Sequence, residues 1–183
     1  MESLENLDFA FPLVLPALFE ALTDVDDNIS NFARAFLERK FPGWQKTDEV
    51  NFLIPEVGKT LDSPFENVFL KGLRIIGEIT TNTEIVRPAL IGALKNRKLA
   101  TQEQVLTVLE KLAPDWPDSP EGRKFIDDTF SAMKTQSAGG KRDSLALLSR
   151  IGPKAKVDLF SFGDIFNGKD PKSRDAARDA AAK

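Results

Sequence analysis

Three side chains that often carry protein chemistry are missing from this 183-residue chain: cysteine, histidine and tyrosine. Without cysteine, the chain can form no disulfide, thiolate nucleophile or sulfur-ligated metal site. Without histidine, it lacks the only side chain whose unperturbed pKa lies near neutrality, which is also the usual general base and a common zinc ligand. We therefore expect a protein that is not an enzyme and that has no cofactor and no metal site.

Long hydrophobic runs are also missing. The most apolar run near the N-terminus, Phe9 to Phe19, contains two prolines and is far shorter than the ~20 residues that span a bilayer. The residues before it include Glu2, Glu5 and Asp8, where a secretory signal would need basic residues. We therefore expect a cytoplasmic protein without a membrane span.

The charges are unevenly distributed along the chain. Residues 1–133 hold 14 Lys and Arg against 22 Asp and Glu, a net charge of −8, whereas residues 134–183 hold 11 against 6, a net charge of +5. An acidic body repels a phosphate backbone, so nucleic-acid binding would have to come from the C-terminal part alone. The charge pattern therefore disfavours nucleic acid as the partner.

Internal repetition is the main positive signal in the sequence. Three segments open alike and each predicts one helix: Pro16 to Leu22, Pro55 to Leu61 and Pro88 to Leu94. Each is followed by a polar turn and a second helical run, and a more divergent hairpin completes the row. The second runs are Ile29 to Phe41, Phe65 to Ile79 and Thr101 to Leu112, and the divergent hairpin is Arg123 to Gln136 with Arg142 to Ile151.

The second helices align at a constant offset of 36 residues. This register predicts that equivalent positions are buried in successive hairpins. One column is Leu37, Leu73, Leu109 and Leu145, and another is Ala33, Phe69 and Val105.

Within the first of these helices, the apolar residues follow the spacing of a helix with one buried face. Ile29, Phe32, Ala33, Phe36 and Leu37 recur at i, i+3, i+4, i+7 and i+8, so we expect all five to face the core.

The repeats VLPALFEALTDVDDNISNFARAFLERK, LIPEVGKTLDSPFENVFLKGLRIIGEI and DSLALLSRIGPKAK resemble HEAT repeats. Tetratricopeptide repeats would require a tyrosine and ankyrin repeats a histidine. The resemblance implies an all-α, right-handed α–α superhelix, a short solenoid of about four helical hairpins over residues 1–167. Val157 to Phe166 is expected to be a C-terminal capping helix. Residues 168–183 are expected to be an exposed helix or tail rich in Ala, Arg and Asp.

Several short motifs have competing interpretations. Asp24, Asp26 and Asn28 match the opening of a calcium loop, but Ile29 and Ala35 replace its required Gly and Glu, so we interpret them as helix-capping residues. Gly139-Gly140-Lys141 lacks the spacing of a phosphate-binding loop and predicts a flexible hairpin turn.

The two tryptophans, Trp44 and Trp116, lie in loops, where each either anchors a partner or folds back over the core; the second interpretation is favoured. Phe162, Asp164 and Phe166 resemble a short peptide motif that adaptor domains bind, but so short a pattern arises by chance, and the interpretation as part of a capping helix is favoured.

The HEAT-like resemblance implies a protein–protein interaction scaffold or adaptor that binds a protein or peptide along the exposed face of its second helices. A nucleic-acid-binding or DNA-repair protein with HEAT-like repeats is one alternative, and salt-sensitive retention on heparin would identify it. An accessory subunit of an enzyme complex, such as a lyase-linked HEAT-like protein, is another. The predicted partner-binding residues are Asn31, Arg34, Glu38, Asn67, Lys71, Arg74, Glu103, Thr107 and Glu110.

Overall fold

Helices account for all the regular structure in the part of the chain that this computed structural model describes, residues 13–79, 83–95, 98–133 and 135–152. The helix α1 occupies residues 13–22. The others are α2 (Asp27–Lys40), α3 (Ile54–Thr60), α4 (Glu66–Glu78), α5 (Thr83–Lys95), α6 (Leu99–Leu112), α7 (Pro120–Met133) and α8 (Ala138–Ile151). Short 3-10 helices lie at Trp44–Lys46, Asp48–Leu53 and Trp116–Asp118. The predicted all-α class is therefore confirmed.

The order of the helices agrees with the predicted hairpins, although their stacking into a right-handed solenoid stays a prediction. The helices begin within a few residues of the predicted starts, except that α5 begins at Thr83, five residues before its proline. The expected capping helix, the phenylalanine motif within it and the C-terminal tail all lie outside the described residues. The division of the chain at residue 167 also stays a prediction.

The chain forms two compact units, residues 1–93 and 94–183. In the first unit, α3 packs against α4, and in the second, α7 and α6 both pack against α8. Each unit has an apolar core that contains one of the tryptophans, since Trp44 and Trp116 are both almost completely buried. The interpretation that these loops fold their tryptophans back over the core is therefore confirmed.

The 36-residue register correctly predicted which residues are buried. Every residue of both columns lies in a core: Leu37, Leu73, Leu109, Leu145, Ala33, Phe69 and Val105. A repeat of this length spans a whole helical hairpin, so equivalent positions return to the same side of their helix.

Polar caps fix the starts of several helices. The Asp26 carboxylate accepts a hydrogen bond from the Asn28 backbone N–H at 2.7 Å, and Asp24 accepts one from the N–H of Asp26 at 2.7 Å. These side chains satisfy N–H groups that a helix leaves without partners, which is the predicted capping role. Ser137 caps α8 in the same way, through the Gly140 N–H.

Two predictions about local structure were wrong. Ile29 and Phe32 were expected in the core, but they are 45% and 72% exposed, because α2 turns its Ser30, Ala33 and Leu37 side inward. Gly139 and Gly140 were expected in a flexible turn, but they lie in the first turn of α8. The Ser137 cap holds that turn, and it offsets part of the low helix propensity of glycine.

Candidate functional site

The nine predicted partner-binding residues lie on the three second helices α2, α4 and α6. Six belong to the first unit, on α2 and α4, and three to the second unit, on α6. The two groups are therefore considered one unit at a time.

In the first unit, part of the predicted face connects α4 to the start of α2. The Asn67 side-chain amide donates to the Val25 carbonyl at 3.0 Å. The Lys71 ammonium donates to the Asp24 carbonyl at 2.6 Å and forms an ion pair with the Asp27 carboxylate at 2.8 Å. These two residues therefore have a structural role between neighbouring second helices.

Glu78, near the end of α4, binds two other residues of this face, Arg34 and Arg74. Its carboxylate accepts a hydrogen bond from Arg34 of α2 at 2.9 Å and one from the Nε of Arg74 at 3.0 Å. Arg34 also lies 3.8 Å from Glu38. Arg34, Glu78 and Arg74 thus form a charged cluster, which we call the Arg–Glu–Arg triad.

Sequence reasoning did not select Glu78, although its position four residues after Arg74 on one helix was a usable signal. In the triad, each arginine pairs with Glu78. Arg74 reaches Glu78 because residues four apart lie on the same side of a helix, and Arg34 reaches it from α2.

The triad leaves one guanidinium fork open to solvent. Arg74 uses its Nε for Glu78, and its two terminal nitrogens make no hydrogen bond to any residue that the structure describes. Its side chain is 66% exposed, and Asn31 and Glu38 on α2 are exposed as well. Arg34, by contrast, is only 17% exposed and is committed to the triad.

In the second unit, Glu110 pairs with Arg150 of α8 through both carboxylate oxygens, at 2.6 and 2.8 Å. Thr107 donates its hydroxyl to the Glu103 carbonyl, one turn earlier in α6. Glu103 keeps an exposed side chain. Only part of the predicted set in this unit is therefore available to a partner.

An apolar groove in the first unit was not predicted. It has a volume of about 560 Å³ and runs between α1, α3 and the start of α4, with Phe19, Leu53 and Val68 among its lining residues. The Lys59–Glu56 ion pair, at 2.7 Å, lies at its edge. The groove is a second concave place where a partner side chain could lie.

A more polar cleft of about 350 Å³ lies in the second unit, between the end of α5 and helices α6, α7 and α8. Its polar groups largely satisfy one another. Lys95 pairs with Asp128 at 3.2 Å, and Ser144 donates to the Gln136 side chain at 2.9 Å.

Comparison with known proteins gave no family assignment. No protein-family model matches the chain, and no solved structure matches it. Within the described residues, no helix is long and apolar enough to cross a bilayer, and no group of three or more acidic residues is placed to hold a metal ion.

Proposed function

We propose that the protein is a non-enzymatic interaction module that binds a protein or peptide along the exposed side of α2 and α4, with Arg74 as the anchor. The proposal keeps the HEAT-like interpretation of the repeats and narrows the predicted nine-residue face to its available part. The available residues in the first unit are Asn31, Glu38 and Arg74.

The observation that carries this proposal is the pre-organised fork of Arg74. Its Nε is held by Glu78, so fewer side-chain rotamers are lost when a partner binds. Its terminal nitrogens remain free for a planar, bidentate acceptor, which in a protein partner is an Asp or Glu carboxylate or the chain terminus. Arginine is also among the residues most enriched at the energetic centres of interfaces.

The charge of Arg74 favours the same kind of partner. Arg34 is paired with both Glu78 and Glu38, so the positive group that a partner can reach here is the 66% exposed guanidinium of Arg74, on a unit that is otherwise rich in acidic residues. A local positive group in an acidic surface gives electrostatic selection for a partner carboxylate at one position.

The test begins with capture of the partner from the source cell by the full chain, followed by measurement of the Kd for purified variants. Arg74→Glu should weaken binding at least tenfold, and Arg74→Lys should weaken it too, because lysine has no fork. The matched control is Arg123→Glu. Arg123 is 63% exposed and pairs with Asp118 at 3.5 Å in the second unit, and we expect its reversal to leave the Kd unchanged.

An unaltered Kd for Arg74→Glu would contradict the proposal. If the same measurements showed that Ala17→Asp, at the edge of the apolar groove, abolished binding, the partner site would be the groove. Thermal unfolding of each variant checks that the fold is kept, since exposed ion pairs contribute only ~0–1 kcal/mol to stability.

A further inference from the structure

A row of apolar side chains on α2 faces away from α4. Ile29, Phe32 and Phe36 recur at i, i+3 and i+7, and Val25, just before the helix, is a further exposed apolar residue at their N-terminal end. Val25, Ile29 and Phe32 are 55%, 45% and 72% exposed, and Phe36 is half-buried. We call these four residues the α2 stripe.

The direction of the stripe follows from the contacts of α2 with α4. Arg34 marks the side of α2 that faces α4, because its guanidinium binds Glu78. Each residue advances ~100° around a helix, so Phe32 and Phe36, two residues before and after Arg34, lie ~160° away from it. The stripe is therefore on the side of α2 opposite α4.

A second apolar row lies on α1. Val14, Leu18 and Ala21 follow the i, i+4, i+7 spacing and are partly exposed, whereas Phe19 and Glu20 on the other side of α1 line the apolar groove. The face of the first hairpin that points away from the second hairpin is thus apolar on both of its helices. Apolar faces of this kind in a water-soluble structure commonly mark an interaction surface.

We propose that the α2 stripe binds the α2 stripe of a second copy of this chain, with the two helices antiparallel across a twofold axis. The supporting observation is the charge pattern at its ends. Asp26 lies at the N-terminal end and Lys40 at the C-terminal end, and both are exposed. Neither makes an ion pair within the described part of the chain.

The residue numbers fit an isologous pair, in which residue i of one copy meets residue j of the other and vice versa. The pairs Asp26–Lys40 and Ile29–Phe36 are both centred within about one residue of Phe32. An antiparallel pair with its axis between Phe32 and Ala33 therefore places Ile29 directly against Phe36, twice, and the two Phe32 rings side by side across the axis. The same register places Asp26 against the basic pair Arg39 and Lys40 at each end.

The exposed area indicates a weak dimer. Phe32 alone presents on the order of 150 Å², and the stripes of two copies together present roughly 600 Å² of apolar surface. With the α1 row and the flanking polar groups, the interface approaches the ~1,200 Å² at the lower end of standard-sized interfaces. We expect a Kd on the order of 100 µM, because the free-energy cost of association offsets most of the stabilisation from burying so small an area.

The first experiment is sedimentation equilibrium of the full chain from about 10 µM to 1 mM, a range chosen around the expected Kd. The apparent mass should rise from that of one chain towards that of two. Phe32→Glu should raise the Kd at least tenfold. The control Phe65→Glu, at a phenylalanine that is 59% exposed and outside the stripe, should leave the Kd unchanged.

The second experiment tests the charge register. Lys40→Glu and Asp26→Lys should each self-associate several-fold more weakly than the unaltered chain, since like charges then meet at both ends. An equimolar mixture of the two variants should associate more strongly than either alone, because both charge pairs become complementary in the mixed dimer. Circular dichroism verifies that each variant is folded, as Asp26→Lys also removes a helix cap.

Three results would overturn the proposal: a single-chain mass throughout the concentration range, equal effects of Phe32→Glu and Phe65→Glu, or no gain of association on mixing the charge variants. If the chain were monomeric, the stripe would not be a surface for self-association, and a different partner would have to cover it. These outcomes are independent of the Arg74 site, because Arg74 lies on α4 and the stripe lies on the side of α2 opposite α4.

Discussion

Replacing Gly72 by alanine tests how closely α3 and α4 approach each other. Gly72 is buried in the middle of α4. A Cβ at this position would overlap the Thr60 hydroxyl and lie 2.9 Å from the Thr60 Cβ, at the end of α3. Rotation of the Thr60 side chain cannot relieve the second contact, because Cβ is fixed to the backbone, and rotation would also break the hydrogen bond from its hydroxyl to the Val57 carbonyl at 2.6 Å.

The expected change in the free energy of unfolding for Gly72→Ala combines two opposing effects. Alanine is favoured over glycine in a helix interior by ~1 kcal/mol. Overpacking a closely packed contact costs ~1–3 kcal/mol, and the fixed Thr60 Cβ places this case near the upper value. Gly72→Ala should therefore lower the free energy of unfolding by about 1–2 kcal/mol. In a chain of this size, that corresponds to a fall in Tm of roughly 2–8 °C.

Gly92→Ala is the matched control in the same unit. Gly92 lies within α5, is exposed, and has no atom within 4 Å of a built Cβ, so only the helix-propensity gain remains. This variant should be more stable than the unaltered chain by up to ~1 kcal/mol. The two Gly→Ala changes should therefore have opposite signs.

Urea denaturation followed by far-ultraviolet circular dichroism measures both changes, and Thr60→Ala completes a double-mutant cycle. Removing the hydroxyl should recover part of the loss caused by Gly72→Ala, which gives a coupling energy of about 0.5–1.5 kcal/mol. If Gly72→Ala were as stabilising as Gly92→Ala, the close approach of α3 and α4 would be wrong.

Three further changes test the cores and the caps. Leu73→Ala, at a buried position of the 36-residue register, should cost ~2–5 kcal/mol in urea denaturation, and a cost below ~1 kcal/mol would contradict the register. Ser119→Ala should cost ~1–2 kcal/mol, because the buried hydroxyl donates to the Trp116 carbonyl at 2.7 Å and accepts from the Gly122 N–H at 3.0 Å. Ser137→Ala removes an exposed cap with a 3.3 Å hydrogen bond, so it should lower the free energy of unfolding by less than Ser119→Ala does. Equal losses for the two variants would show that burial of a cap does not increase its contribution to stability.

The helices and the core register were predictable from the sequence because both are local or periodic properties. The apolar spacing within each run, the recurring prolines and the capping residues predicted the order of the helices in the described chain, and the predicted partners α3 and α4, and α7 and α8, pack together. The constant 36-residue offset then identified Leu37, Leu73, Leu109 and Leu145 as core residues, and all four are buried. A fixed offset carries this information because equivalent positions of successive hairpins return to the same side of their helices.

The candidate site was predictable only in part. Arg74 and Glu38 are exposed on second helices as expected, and their use in binding stays a prediction. The sequence did not reveal that Arg34 would bind Glu78, because these residues lie 44 positions apart and on different helices. Nor did it separate the structural roles of Asn67 and Lys71 from the exposure of Arg74, since all three are polar residues on the same helix.

The sequence by itself determined where the helices lie and which side of most of them is apolar, since backbone hydrogen bonding and side-chain periodicity are local. Only the tertiary structure decided which apolar residues are buried on α2. Its apolar side is wider than the contact that its neighbours offer, so Ala33 and Leu37 lie in the core while Ile29 and Phe32 face solvent. Burial depends on which helices surround a side chain, and periodicity along one helix contains no information about the positions of the others.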